Sequence, residues 1–236
     1  MTEKKALGIL GGMGPLATAD LLHKVISLTD AACDNEHIRI YVDNNASIPD
    51  RTSAILSGGA DPVPAMADSL RKLESCGASC IIMPCNTAHY FLPQLQTMTD
   101  VPILNMLEET AAVCARQFPG KRAGVLATKG TLAAGLYQKA LEKEDVAYEL
   151  PNEEERDALM RVIYDGVKAG AEPKDYAEDF LHVIRAMTAR GADYFILGCT
   201  ELPVAAQALR VSAPCVDPTE VLARAAISFC GYPIKK

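Results

Sequence analysis

The 236-residue chain lacks any stretch approaching the ~18 consecutive apolar residues of a membrane span, and no basic run offsets its formal net charge of −7. The first absence argues against a transmembrane segment. The second argues against a nucleic-acid or anionic-membrane surface as partner. The opening Met1-Thr2-Glu3-Lys4-Lys5 leads into only five residues before glycines intervene, too short a run for a signal peptide. A linker rich in glycine or serine is also missing, so domains, if there are two, are expected to pack firmly.

What is present is ordinary globular material, with 49% apolar and 22% charged residues, enough for a core and no sign of disorder. At ~150 residues per domain the length is long for one domain and short for two. Eight cysteines raise the question of disulfides, but Cys80, Cys114 and Cys230 fall inside apolar strand or helix patterns. Buried thiols of that kind behave as small hydrophobes, and a reducing cytoplasmic setting is the economical reading. Cys76, Cys80, Cys85 and His89 resemble four metal ligands in a row. Their spacing misses a tight zinc knuckle, and Ile81-Ile82-Met83 would hold Cys80 and Cys85 apart on a strand, so no metal is expected.

Two cysteines stand out by their address. Cys80-Ile81-Ile82-Met83 precedes Cys85-Asn86-Thr87-Ala88-His89, and Tyr194-Phe195-Ile196-Leu197 precedes Gly198-Cys199-Thr200-Glu201. Short apolar runs bounded by turn residues read as buried parallel strands. Both thiols therefore fall at a strand's carboxyl end, where open α/β sheets place their ligand crevices. Leu73 to Ala78 and Met187 to Ala192 also match, and one offset of 114 residues relates both Gly77 to Gly191 and Cys85 to Cys199.

The rest of the chain repeats in the same way. Lys5–Leu10 reads as a strand followed by Gly11-Gly12-Met13-Gly14-Pro15, whose glycines permit a tight turn and bring amides near a bound anion. A helix with Leu16, Leu21, Leu22, Val25, Ile26 and Leu28 follows, then a strand over His37–Asp43 and a polar loop to Arg51. Asp61-Pro62 opens a helix striped with Val63, Met66, Leu70 and Leu73 and ended by Gly77. After the Cys85 strand come a strand at Val101–Leu104 and a helix over Leu107–Cys114. Gly124–Thr131 then restarts the pattern of Gly8–Pro15. Helices follow over Leu132–Lys143, Glu153–Lys168 and Pro173–Arg190, and Ala213–Val216 echoes Val101–Leu104 before a last helix. The order βαβαβ, twice, predicts two similar α/β domains with parallel sheets, related by a pseudo-twofold, the active site lying in the cleft between them.

Two matched thiols suit one kind of chemistry. Inverting an amino acid's α-carbon requires taking a proton from one face and returning one to the other, which two fixed acid/base groups do without moving. A cysteine's pKa of ~8.5 is readily lowered by a helix N-terminus, and the Asn86, Thr87, Thr200 and Glu201 amides are placed to begin such helices.

These residues resemble the cofactor-independent aspartate/glutamate racemase superfamily, and within it most closely the aspartate racemases. The resemblance is carried by Gly11–Ala19, Ile48-Pro49-Asp50-Arg51-Thr52, Met83–His89, Leu126–Thr131, Gly166-Val167-Lys168-Ala169-Gly170 and Gly198–Glu201, which span nearly the whole chain. It implies racemisation of aspartate, with glutamate as a further substrate, without pyridoxal phosphate or any other cofactor. Cys85 and Cys199 would be the acid/base pair, Cys85 serving the D-enantiomer and Cys199 the L-enantiomer. Substrate binding would fall to Met13, Asp50, Arg51, Thr52, Asn86, Thr87, Thr128, Thr131, Lys168 and Thr200. Arg51 and Lys168 match positions that meet the side-chain carboxylate in similar proteins, a role that suits a planar Arg fork and a mobile Lys charge. The resemblance also implies a homodimer and places residues of about 211–236 with the first domain, so that 1–115 plus 211–236 form one domain and 116–210 the other.

Plainer readings stand beside these. Arg51 can be a solvated loop cation, Lys168 a helix C-terminal charge, and Thr128 and Thr131 mere helix starters. Glu201 fits a first-turn acid favoured by the helix dipole; if it lies near Cys199 it raises that thiol's pKa, leaving Cys85 as the resting thiolate. His89 reads as a packing or capping residue. Hydantoin racemase, maleate isomerase and decarboxylase chemistry are the alternatives within the superfamily. From other classes come a non-catalytic acidic-ligand sensor and a dinucleotide-binding module. For the latter, Gly12-Met13-Gly14-Pro15-Leu16-Ala17 supplies the glycine pattern and Asp43 a ribose partner, though Asp43 lies further on than the ~20 residues expected.

Overall fold

The computed structural model describes residues 4–235. Met1-Thr2-Glu3, the start of the segment read as too short for a signal peptide, lies outside the described residues. No helix among the described residues is long and apolar enough to cross a membrane. The chain divides into two units, residues 1–109 with 219–236, and residues 110–218.

In the first unit, β1 (Leu7–Gly11) leads to α1 (Pro15–Leu28), β2 (Ile40–Asn44), α2 (Arg51–Leu56), α3 (Val63–Ser75) and β3 (Cys80–Ile82). A 3-10 turn at Thr87–Phe91 runs into α4 (Leu92–Gln96), and α5 (Met106–Gln117) follows, passing into the second unit after Glu109. The strands are parallel in the order β2-β1-β3. Val101–Leu104, expected as a full strand, contributes a single parallel bridge from Ile103 to Ile81. Alternation along the strands sorts the core into two faces. Leu7 and Ile9 of β1 with Cys80 and Ile82 of β3 pack on Leu21 and Val25 of α1, while Leu10 and Ile81 pack on Met66, Leu70 and Leu73 of α3. The α3 stripe is buried as its spacing predicts. In α1 the buried apolar residues are Ala17, Leu21 and Val25, every fourth position, with Thr18 buried beside them, so Leu16 sits off that stripe and is 83% exposed.

The second unit comprises β4 (Ala123–Ala127), α6 (Lys129–Ala133), α7 (Leu136–Lys143), β5 (Tyr148–Glu149), α8 (Glu153–Met160), α9 (Pro173–Ala189), β6 (Tyr194–Gly198), α10 (Glu201–Ala208) and β7 (Cys215–Val216). Its parallel sheet runs β5-β4-β6-β7. The chain closes with α11 (Pro218–Phe229). Three expectations are corrected here. The helix read over Leu132–Lys143 is two helices hinged at Gly135, whose φ of 65° is left-handed and breaks the α run. The helix read over Glu153–Lys168 turns into a wider π-helix at Arg161–Lys168. The boundary expected near 211 falls after Pro218, because Cys215–Val216 pairs with Phe195–Ile196 and the Phe195 amide donates to Pro214 O at 2.9 Å. The last strand therefore completes the second sheet, and only α11 and the residues after it return to the first unit, where Leu222, Ala226 and Ile227 join the Leu7–Ile9 face.

In both units the first and third strands are neighbours, so the strand leaving for the second helix departs on the other side of the sheet. That is a topological switch point, the place where such sheets hold ligands beyond their carboxyl ends. Cys85 follows β3 and Cys199 follows β6, each at the switch point of its own unit.

Candidate active site

In the first unit the loops after β1, β2 and β3 converge. Gly12 makes the turn possible: its φ is 90°, and a Cβ there would fall onto the Asn45 carbonyl. The Gly12 amide, expected to face an anion, donates instead to Thr18 Oγ1 at 2.8 Å. That donor would be needed by a dinucleotide pyrophosphate, and its internal use weighs against the nucleotide-binding reading. Met13, Ile48 and Cys85 belong to one buried cluster.

Arg51 is the unusual residue of this region. It is only 8% exposed, and its guanidinium donates to backbone carbonyls, from Nη1 to Ile48 O (3.2 Å) and Pro49 O (2.9 Å) and from Nη2 to Met13 O (3.2 Å). Nε is buried with no hydrogen-bond partner. A buried cation normally carries a paired anion, because desolvation without one is costly. Three carbonyls fix the fork and leave two of its five N–H donors, the buried Nε–H among them, for an acidic group from outside the chain. Asp50, expected among the substrate contacts, caps α2 by accepting from the Ser53 amide at 2.7 Å and is exposed. Thr52 follows Arg51 in α2 and is half-buried.

Cys85 is 7% exposed, with Asn86 and Thr87 buried beside it at the start of the 3-10 turn. The expected α-helical start is thus a tighter turn, because Pro93 sits in the first turn of α4 and the α-helix begins only at Leu92. His89 fixes this turn. The Met106 amide donates to Nε2 at 3.1 Å, so Nδ1 carries the ring proton and donates to Cys85 O at 2.9 Å. Burial pushes the His89 pKa down, keeping the ring neutral, as a packing rather than a titrating group. With both ring nitrogens so engaged, and Cys76 exposed while Cys80 is buried against Cys230, these four residues are not gathered around a point.

In the second unit Gly198 ends β6 where a Cβ would lie 2.7 Å from the Tyr137 ring and 2.9 Å from Leu126 O, so the strand end carrying Cys199 is pressed against α7 and β4. Cys199, 8% exposed, donates from Sγ to Glu201 Oε2 at 2.9 Å, and Thr200 Oγ1 donates to the same oxygen at 3.1 Å. Lys168, at the end of the π-helix, places Nζ 3.9 Å from Glu201 Oε1 and 4.3 Å from the centre of the Tyr164 ring. Thr128 caps α6, accepting from the Thr131 amide at 3.3 Å, and its hydroxyl lies 3.0 Å from that of Thr131, both buried at the end of β4.

The structure thus gathers Met13, Arg51 and Cys85 with its neighbours in the first unit, and Cys199, Thr200 and Lys168 in the second. Glu201 was absent from the expected site residues, although it is the acid on which Cys199, Thr200 and Lys168 all converge. Its signal in the sequence was adjacency to Cys199 alone, which the helix dipole explains equally well.

Each parallel-sheet α/β unit thus carries a buried thiol at its switch point, with a buried arginine in one unit and a lysine-glutamate pair in the other. The chain belongs to the Asp/Glu/hydantoin racemase family, whose profile matches residues 10–226, and is an isomerase of the racemase class. It is similar to the aspartate racemase of Picrophilus torridus, with a TM-score of 0.86 and 33% identity over 98% of this chain and 96% of that one. A broad-specificity amino-acid racemase, RacX, of Bacillus subtilis is 27% identical over 232 residues, covering 94% of this chain and 96% of the relative. A glutamate racemase of Corynebacterium kroppenstedtii is 29% identical over 141 residues, 59% of this chain and 46% of that protein.

Proposed function

We propose that the protein interconverts L- and D-aspartate without pyridoxal phosphate, using Cys85 and Cys199 as two bases acting on opposite faces of the α-carbon. The observation that carries this reading is the recurrence of one buried thiol at the same topological address in each unit. One cysteine, as thiolate, takes the α-proton; the C–H electron pair passes into the α-carboxylate, and the other cysteine delivers its S–H proton to the far face. The two thiols end with their protonation states exchanged. The bond from Cys199 Sγ to the Glu201 carboxylate is one that only a protonated Cys199 can donate.

Specificity for an acidic substrate is supported by Arg51, whose buried Nε–H lacks an acceptor, and by Lys168 near Cys199. The similarity to an aspartate racemase over nearly the full chain favours aspartate, and the similarity to RacX keeps a wider range of amino acids as the second reading. Asn86, Thr87, Thr128, Thr131 and Thr200 offer donors for the α-carboxylate and hydroxyl or amide oxygens as acceptors for the α-ammonium. The test is incubation with L-aspartate in heavy water without pyridoxal phosphate, following α-proton exchange and chirality together. Exchange with D-aspartate appearing, lost in both Cys85→Ser and Cys199→Ser, is expected. Racemisation that survives either substitution would refute the two-base mechanism.

A further inference from the structure

Glu201 does more than neighbour a cysteine. Its Oε2 accepts from Cys199 Sγ and from Thr200 Oγ1, while its Oε1 faces Lys168 Nζ at 3.9 Å. The carboxylate is 9% exposed and belongs to the first turn of α10, so it is held in place while sharing its charge between a thiol and an ammonium. A spacing of 3.9 Å is long for an ion pair with full hydrogen bonding. Lys168 is 30% exposed along its side chain and rests over the Tyr164 ring at 4.3 Å, an arrangement that keeps the ammonium near Glu201 without locking it there. Both Lys168 and Tyr164 lie on the π-helix, whose extra width sets where the lysine emerges.

We propose that Glu201 is a positioning residue that couples recognition of the substrate's side-chain carboxylate at Lys168 to deprotonation of Cys199. This rests on the reading above that Lys168 meets that carboxylate and Cys199 is one of the two bases. With the site empty, Lys168 draws the negative charge of Glu201 towards itself. When an acidic side chain arrives, Lys168 pairs with it, and Glu201 is left facing Cys199 alone. The Cys199 proton then moves to Glu201 Oε2, the S–H bond breaking and the O–H bond forming; the thiolate left behind takes the α-proton of the L-enantiomer, and Cys85, as the thiol, delivers its S–H proton to the other face. The acidic group of the substrate is on this account an activator as well as a handle. Its benefit falls on kcat and not only on KM.

The experiment compares α-proton exchange of L-aspartate with that of its neutral isostere L-asparagine in the wild-type protein, in Glu201→Gln and in Lys168→Met. Glutamine keeps an acceptor for the Cys199 thiol but cannot take its proton, and Glu201→Asp with circular dichroism guards against a folding defect. In the wild type, kcat for aspartate should exceed that for asparagine by about tenfold or more, within the usual range for assisted proton transfer. Glu201→Gln should bring the aspartate kcat down to the asparagine value while the lower KM for aspartate persists, because Lys168 is still present. Lys168→Met should abolish both advantages. An equal proportional loss for the two substrates in Glu201→Gln would overturn the coupling, as would equal kcat values in the wild type. Absence of exchange with every acidic amino acid in the wild type would instead overturn the functional reading beneath it.

Discussion

Arg51 shows how a single side chain reports on a missing partner. Three backbone carbonyls meet the guanidinium and, among the described residues, no carboxylate does, while it is held at 8% exposure. Such a buried cation is stabilised fully only when an anion completes its shell. Lys at this position has no fork to satisfy the same carbonyls and present a further donor. Arg51→Lys should raise KM for aspartate by about 10- to 100-fold, corresponding to a lost charged hydrogen bond of ~1.5–3 kcal/mol, with a smaller change in kcat. Steady-state kinetics by chiral separation of the product measures this; a KM within twofold of wild type would remove Arg51 from the substrate site. The sequence made Arg51 visible as a motif residue but not its burial, because loop cations are usually solvated. Glu201 was weighed beside Cys199 but left out of the site for the opposite reason, since a first-turn acid needs no function to explain it.

At the scale of elements, strands and the thiol addresses were readable because short continuous apolar runs ending in Met83-Pro84-Cys85 and Gly198-Cys199 leave little alternative. Widths of helical turns were not. Nothing in the periodicity of Glu153–Lys168 separates an α-helix from one that opens into a π-helix at Arg161, because tertiary packing of α9 against that segment decides it. The 3-10 turn after Cys85 depends likewise on a contact distant in sequence, the Met106 amide donating to His89 Nε2. This contact makes the turn sensitive to pH. Burial lowers the folded-state pKa of His89 from 6.5, so below that value the unfolded chain binds a proton that the folded one does not. The stabilisation is fully present above pH ~6.5 and is lost as pH falls from there towards the depressed folded value, by up to ~1.4 kcal/mol per pH unit. Urea midpoints measured from pH 8 to pH 5 should therefore decline below pH ~6.5 in the wild type, with a shallower decline in His89→Asn. Identical slopes would mean that His89 contributes no proton linkage.

On the scale of the whole chain, duplication was legible because the offset of 114 residues preserves glycine, strand and thiol together, whereas the division between units was not. Ala213–Val216 was grouped with the terminal helix by its likeness to Val101–Leu104 and by family resemblance, yet strand pairing commits Cys215–Val216 to β6 and leaves α11 to cross back alone. The consequence is that the first unit draws part of its core from the far end of the sequence. Leu222, Ala223, Ala226 and Ile227 are fully buried against Leu7, Ile9, Cys80 and Ile82, and Cys80 lies hydrogen-bonded to Cys230 in that layer. Leu222→Ala should cost about 2–5 kcal/mol through lost burial and the cavity left behind. Free thiols locate the damage: the buried Cys80 and Cys230 report on the first unit, the buried Cys114 and half-buried Cys215 on the second. In mild urea, mass-spectrometric alkylation of the variant should reach Cys80 and Cys230 at lower denaturant than in the wild type, with Cys114 and Cys215 shifted less. Unchanged protection of Cys80 and Cys230 would show that α11 is not what closes the first core, and equal shifts at all four thiols would show that the two units open as one cooperative body.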